Sequence, residues 1–160
     1  MRYEFNWIGV ADHEATVVGF DKSEDILNFF QKLNWMENII EFSERYHAGK
    51  SSNDDWGATI LDKQLESSLS FYLIDLIKPG PDLALDRLNF YATYKREVME
   101  KNSWLKRLFS SEEYSIYTLE TEAEQISYKT VIEILNHFLN ANFMEVSKIV
   151  SSPIGFGSIH

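Results

Sequence analysis

Residues 53 to 62, NDDWGATILD, set two adjacent carboxylates, Asp54 and Asp55, beside Trp56 and just ahead of an apolar run. Such a group can be an acid–base pair, half of a metal site, or an acidic edge that another protein recognises. Each chemistry makes its own demand on the rest of the chain. A zinc helix of the HExxH kind needs two imidazoles on one face. The histidines are His13, His47, His137 and His160, and none lies near another; His13-Glu14 is followed by no second imidazole. His137 sits one step from an apolar stripe, where a boundary histidine with one bonded nitrogen is expected. Metal-dependent phosphodiester cleavage needs two or three acids held near a lysine. Asp54, Asp55, Asp62, Asp75, Asp82 and Asp86 are close enough in sequence to fold together. Pro81-Asp82 also resembles the start of a restriction-nuclease motif, but the acid-x-Lys triplet that completes it never follows. Glycoside hydrolysis needs two carboxylates about 5–9.5 Å apart across a sugar cleft, which Asp54, Asp55 and Trp56 fit only loosely.

Nucleophilic chemistry finds less. There is no G-x-S-x-G elbow, and no cysteine to pair with a histidine, ligate zinc or form a disulfide. Gly155-Phe156-Gly157 lacks the third glycine and the following helix of a dinucleotide site. No cofactor and no metal is implied.

Charge carries more information. Asp and Glu number 25 against 15 Lys and Arg, a net charge of −10. That field repels nucleic acid and anionic membrane, both of which are bound through clustered Lys and Arg. It speeds encounter with a basic partner, and it also simply aids solubility. Within it lies a basic island, Lys95, Arg96, Lys101, Lys106 and Arg107, followed by an acidic block, Glu112, Glu113, Glu120, Glu122 and Glu124. The two blocks are either complementary faces, halves of a dimer contact, or ordinary solvated surface. Interfaces draw much of their energy from a few aromatic anchors ringed by polar groups, and neighbouring carboxylates select a basic partner. On that ground the partner-binding candidates are Asp54, Asp55 and Trp56, with Glu112, Glu113 and Tyr114 as a second cluster. The plainer alternative for the first is a loop acid pair and a core-facing tryptophan.

These side chains need elements to hold them. Residues 2–10 and 15–20 are rich in β-branched and aromatic residues around the polar ADHE, which predicts a hairpin. Asp21 and Glu24 fit a capping-box start. Ile26, Phe29, Phe30, Leu33, Met36 and Ile40, with Trp35, Ile39, Phe42 and Tyr46, then predict one helix apolar on two faces, or two elements broken at Asn34. Residues 48–55 read as loop. ATIL and LSFYLIDLI read as strands, the second alternatively as buried helix, and Lys78-Pro79-Gly80-Pro81 as a turn. A helix is expected from about Asp82 to Lys101, carrying Leu85, Leu88, Ala92 and Met99, with a short turn capped by Ser103 after it. Residues 114–120 read as a strand. Thr121 and Glu124 read as a capping box for a helix with Tyr128, Val131, Ile132, Leu135, Phe138 and Leu139 at helical spacing. FMEVSKIV is expected to be a last strand and residues 151–160 an exposed tail.

The expected architecture is therefore α+β: one domain over residues 1–150, with a mixed or antiparallel sheet packed against three or four helices. The N-terminus lacks a signal-peptide pattern, and no apolar run reaches the roughly 18–20 residues of a membrane span, so a cytoplasmic location is expected. In this build, small, acidic and aromatic-rich, the chain resembles bacterial toxin-immunity proteins. NDDWGATILD and SSEEYSIYTLETE are the stretches that prompt the resemblance. It implies a basic protein partner, a cognate toxin domain that is commonly a nuclease, blocked at or beside its active site. The competing expectations are a small metal-dependent hydrolase using the Asp cluster and a non-catalytic adaptor that pairs with itself. Monomer and homodimer are both open.

Overall fold

The computed structural model describes residues 1–12, 14–50, 56–73, 84–101 and 114–151. β1 (Tyr3–Ile8) and β2 (Thr16–Phe20) pair antiparallel, Tyr3 opposite Phe20 and Trp7 opposite Thr16, as the hairpin pattern predicts. The helical stretch divides in two, α1 (Ser23–Gln31) and α2 (Trp35–His47), with the break at residues 32–34. The break has a packing reason. Ile26 and Phe30 are the buried residues of α1, whereas α2 buries Trp35, Ile39 and Ser43. One straight helix would turn these two sets in different directions; two segments bring both onto the same sheet. Asp21 does not cap α1. The residue before the helix is Lys22, without a side-chain cap bond, and Asp21 instead holds the N-terminal amine at 2.8 Å.

β3 (Gly57–Asp62) and β4 (Ser67–Leu73) form a second hairpin, Ala58 opposite Phe71 and Asp62 opposite Ser67. The expected helix from Asp82 to Lys101 is not present in the described part of that span. A 3₁₀ turn at Leu85–Arg87 leads into a long strand, β5 (Asn89–Lys101). The deciding signal is the alternation of Phe90, Ala92 and Tyr94, all fully buried, with half-exposed Tyr91 and Thr93; a period of two is a strand's signature. β6 (Tyr114–Ser127) also runs further than expected, straight through Thr121 and Glu124. Phe90 pairs with Ile126 and Ala92 with Ala123, so Tyr91 faces both Glu124 and Gln125. Gln125, at φ +56°, is the extra residue of a β-bulge.

Ser127, not Thr121, caps α3 (Tyr128–Leu139): its hydroxyl accepts from the Thr130 amide at 3.2 Å. The expected last strand is a helix, α4 (Phe143–Val150), burying Phe143, Val146 and Val150 at three- and four-residue spacing. Lys78-Pro79-Gly80-Pro81, the turn after Ser103 and the tail beyond residue 151 lie outside the described residues.

The strands form one sheet in the order β2-β1-β3-β4-β5-β6, every neighbouring pair antiparallel. All four helices of the described residues pack on one face. Phe29 and Phe30 of α1 meet Phe5, Trp35 of α2 meets Phe90, and Phe138 of α3 and Phe143 of α4 meet Tyr94. The fold is a two-layer α+β domain whose core is an aromatic seam. At its centre Phe30 lies 5.4 Å from Phe71 and 5.5 Å from Trp35, edge-on or tilted as ring quadrupoles favour. Among the described residues no helix is long and apolar enough to cross a membrane.

Candidate recognition surface

Because the helices cover one face, alternate residues of each strand point the other way. Following the register from Asn6 gives Thr59, Ser70, Thr93 and Glu122; following it from Glu4 gives Leu61, Ser68, Lys95 and Glu120. This second face is polar. Its hydroxyls bond one another, as Thr59 does Ser70 at 2.9 Å, and its cations are paired, Lys63 with Glu4 at 2.6 Å and Lys95 with Glu120 at 2.8 Å.

The face becomes acidic and aromatic toward the outer edge formed by β6. Tyr72 and Tyr91 lie with ring centroids 6.3 Å apart. The Tyr91 hydroxyl donates a short hydrogen bond to Glu122. That bond, then burial and the charges of Glu122, Glu124 and Glu120, push the Tyr91 hydroxyl up to about 12. Lys95 is raised likewise by its bond to Glu120. Lys95 balances only one of these three carboxylates; Glu122 and Glu124 have no cationic partner among the described residues.

Past β4 the two last strands continue as a ribbon. β4 begins at Ser67, opposite Arg96, while β5 runs on past it to Lys101 opposite Tyr114. On this ribbon Met99 and Ile116 are direct cross-strand partners, each 65% exposed, with Tyr114 and Tyr117 also exposed. Scattered exposed apolar residues are ordinary. Three of these, Met99, Ile116 and Tyr114, share the face of the unbalanced carboxylates on a projecting ribbon, with Tyr117 on its other side, and such a cluster is what an interface anchor looks like.

The predicted site residues are distributed as follows. Trp56 is 2% exposed and packs against Phe42 at 5.7 Å and Trp35 at 6.4 Å; in this fold it supplies core area and is not a surface anchor. Gly57 follows it where a side chain would collide, since an added Cβ would lie 2.5 Å from the Phe71 carbonyl oxygen. Asp54, Asp55, Glu112 and Glu113 lie outside the described residues. Tyr114 opens β6 on the exposed ribbon. Of the two charge blocks, Lys95, Arg96 and Lys101 lie on β5 and Glu120, Glu122 and Glu124 on the neighbouring β6, bonded through Lys95 and Glu120, while Lys106, Arg107, Glu112 and Glu113 lie outside the described residues. Glu120, Glu122, Met99 and Ile116 form one surface only because β5 is a strand and not the expected helix; their odd–even spacing against the buried set is the signal that groups them.

Of the Asp cluster, Asp62 is fully buried as a turn anchor. It accepts from Arg2 at 2.6 Å and from the Gln64 and Leu65 amides at 3.0 and 3.2 Å. Among the described residues no three His, Asp or Glu side chains converge as metal ligands. His137 takes the expected boundary position, with Nδ1 3.3 Å from the Asn142 amide nitrogen. Comparison with protein-family models, curated proteins and solved structures finds no match to this chain.

Proposed function

We propose that the chain is a binding protein that engages a basic protein partner through the β5–β6 corner of its sheet, and that it acts as an inhibitor of the toxin-immunity kind. The observation that carries this is the juxtaposition on one ribbon and edge strand of exposed Met99, Ile116, Tyr114 and Tyr117 with Glu120, Glu122 and Glu124. Apolar anchors supply the desolvation energy and the unbalanced carboxylates supply selection and on-rate. The whole-chain charge of −10 reinforces the steering. The pairing of Lys95 with Glu120 inside one chain takes up one charge of each block.

Photo-crosslinking tests the placement. A photoreactive residue at Ile116 is expected to capture a basic protein in the cells of origin, and the same probe at Glu37, on α2, is expected to capture none. Met99→Ser with Ile116→Ser should leave the melting temperature nearly unchanged, because both side chains are already solvated, while abolishing capture. Retained capture by that double variant would remove the ribbon from the account.

A further inference from the structure

The sheet has two outer strands of very different length. β2 is 5 residues long, and a short edge offers an incoming strand little to pair with. β6 runs for 14 residues and has β5 as its strand neighbour on one side. On its other side no strand and no turn bond meets the backbone of residues 116–123 among the described residues. Alternate residues of an antiparallel strand aim both their N–H and their C=O to the same side. The outer side of β6 is thus a row of donors and acceptors that a further strand fits.

How such an edge is guarded decides what can join it. Lysine, proline and bulges are common guards. The sequence of β6, YSIYTLETEAEQIS, holds no Lys, Arg or Pro. Its bulge at Gln125 lies near the end of the strand and leaves residues 114–123 in unbroken register with β5. The guards are carboxylates: Glu120, Glu122 and Glu124 are exposed, and Lys95 balances only the first. Like charges directly opposite one another destabilise a strand pair. A second β6 laid antiparallel over residues 120–124 would set glutamate against glutamate, whereas a strand bearing Lys or Arg would meet attraction. Side chains alternate along a strand, so the uncovered sheet face shows Tyr114, Ile116, Thr118, Glu120 and Glu122 in a line. An antiparallel newcomer therefore meets the two acids first and the apolar pair last.

We propose that an extended basic segment of the partner adds to this sheet along β6 as an antiparallel strand, with Lys or Arg over Glu120 and Glu122 and apolar side chains over Ile116 and Tyr114. This rests on the β5–β6 corner being the binding surface and supplies its mode: backbone bonds give affinity, alternate side chains give selectivity.

The probe is a peptide, Lys-Thr-Lys-Thr-Thr-Thr-Val-Thr-Val, with two variants N-methylated at its odd or at its even positions. N-methylation removes amide donors and keeps the charge. In nitrogen–proton NMR spectra of the whole chain, the parent peptide is expected to shift the amides of residues 116–123 saturably and to slow solvent exchange at alternate ones. One methylated form should bind about tenfold or more weakly, the loss expected for several neutral hydrogen bonds. The other should bind like the parent, because its methyl groups face away from β6. Glu120→Gln with Glu122→Gln should weaken the parent peptide several-fold, exposed ion pairs being individually weak; unchanged amide dispersion certifies that this variant is folded. Absence of a saturable shift on β6 overturns the proposal. Equal affinities for the two methylated forms overturn strand addition but not the corner itself, which the Ile116 crosslink reads independently. Slowed exchange at alternate β6 amides that grows with protein concentration, without peptide, would assign the edge to a second copy and overturn the basic occupant.

Discussion

Tyr91 and Glu122 show how a local register sets a chemical property. The bulge at Gln125 draws Glu122 and Glu124 around the Tyr91 ring, and the hydroxyl gives its proton to a hydrogen bond with Glu122. An unfolded tyrosine titrates near 10, whereas Tyr91 is pushed up to about 12. A raised pKa favours the fold while the group is protonated. The contribution is therefore complete below about pH 10 and disappears as pH rises toward 12. Ultraviolet titration should show one late tyrosine that Tyr91→Phe removes and that Glu122→Gln returns toward the ordinary range; no movement in Glu122→Gln would refute the contact. Trp56 teaches the opposite lesson. A tryptophan beside two aspartates fits a recognition edge and a core wall equally well in sequence, and only tertiary packing against Phe42 and Trp35 decides. Trp56→Ala should cost about 3–5 kcal/mol through the cavity it leaves, read from the shift of the denaturant midpoint. A cost near zero would place the indole at the surface.

Elements were legible where a period repeated long enough. The first hairpin, the β3–β4 pair and the helix from Tyr128 carry clear alternation or helical spacing, and each forms. β5 was not legible because Leu85, Leu88, Ala92 and Met99 mimic a helical stripe while Phe90, Ala92 and Tyr94 alternate beneath it. Packing chose the alternation: Phe90, Ala92 and Tyr94 are all fully buried, whereas of the stripe Leu88 and Ala92 are buried and Met99 is exposed. α4 failed in the reverse sense. Its eight residues hold Val146, Ile149 and Val150, whose branching favours strands, yet Phe143, Val146 and Val150 reach the core only as a helix. The start of α3 offers a direct check. Ser127→Ala should cost about 1 kcal/mol of stability, the usual loss for an N-cap hydroxyl, in a thermal or chemical melt. Thr121→Ala, at the position where the sequence alone places the cap, should show no capping loss; a larger effect there than at Ser127 would contradict the helix boundary.

At the scale of the molecule, the two-layer build divides labour. One sheet face is spent on an aromatic core beneath four helices, and the other remains a hydroxyl-rich surface that turns acidic toward β6. The sequence carried the sign and size of the charge, but not its placement, because placement depends on strand register. The register puts Lys95 against Glu120 and leaves Glu122 and Glu124 unbalanced beside the exposed ribbon. The account rests on the β6 corner holding a basic protein. Calorimetric titration of the partner captured at Ile116, repeated as ionic strength is raised, tests this most directly. Affinity should fall steeply with salt, and Glu120→Gln with Glu122→Gln and Glu124→Gln should lower both the affinity and its salt dependence while leaving the melting temperature close to that of the parent. An affinity indifferent to salt and to the triple substitution would contradict the claim.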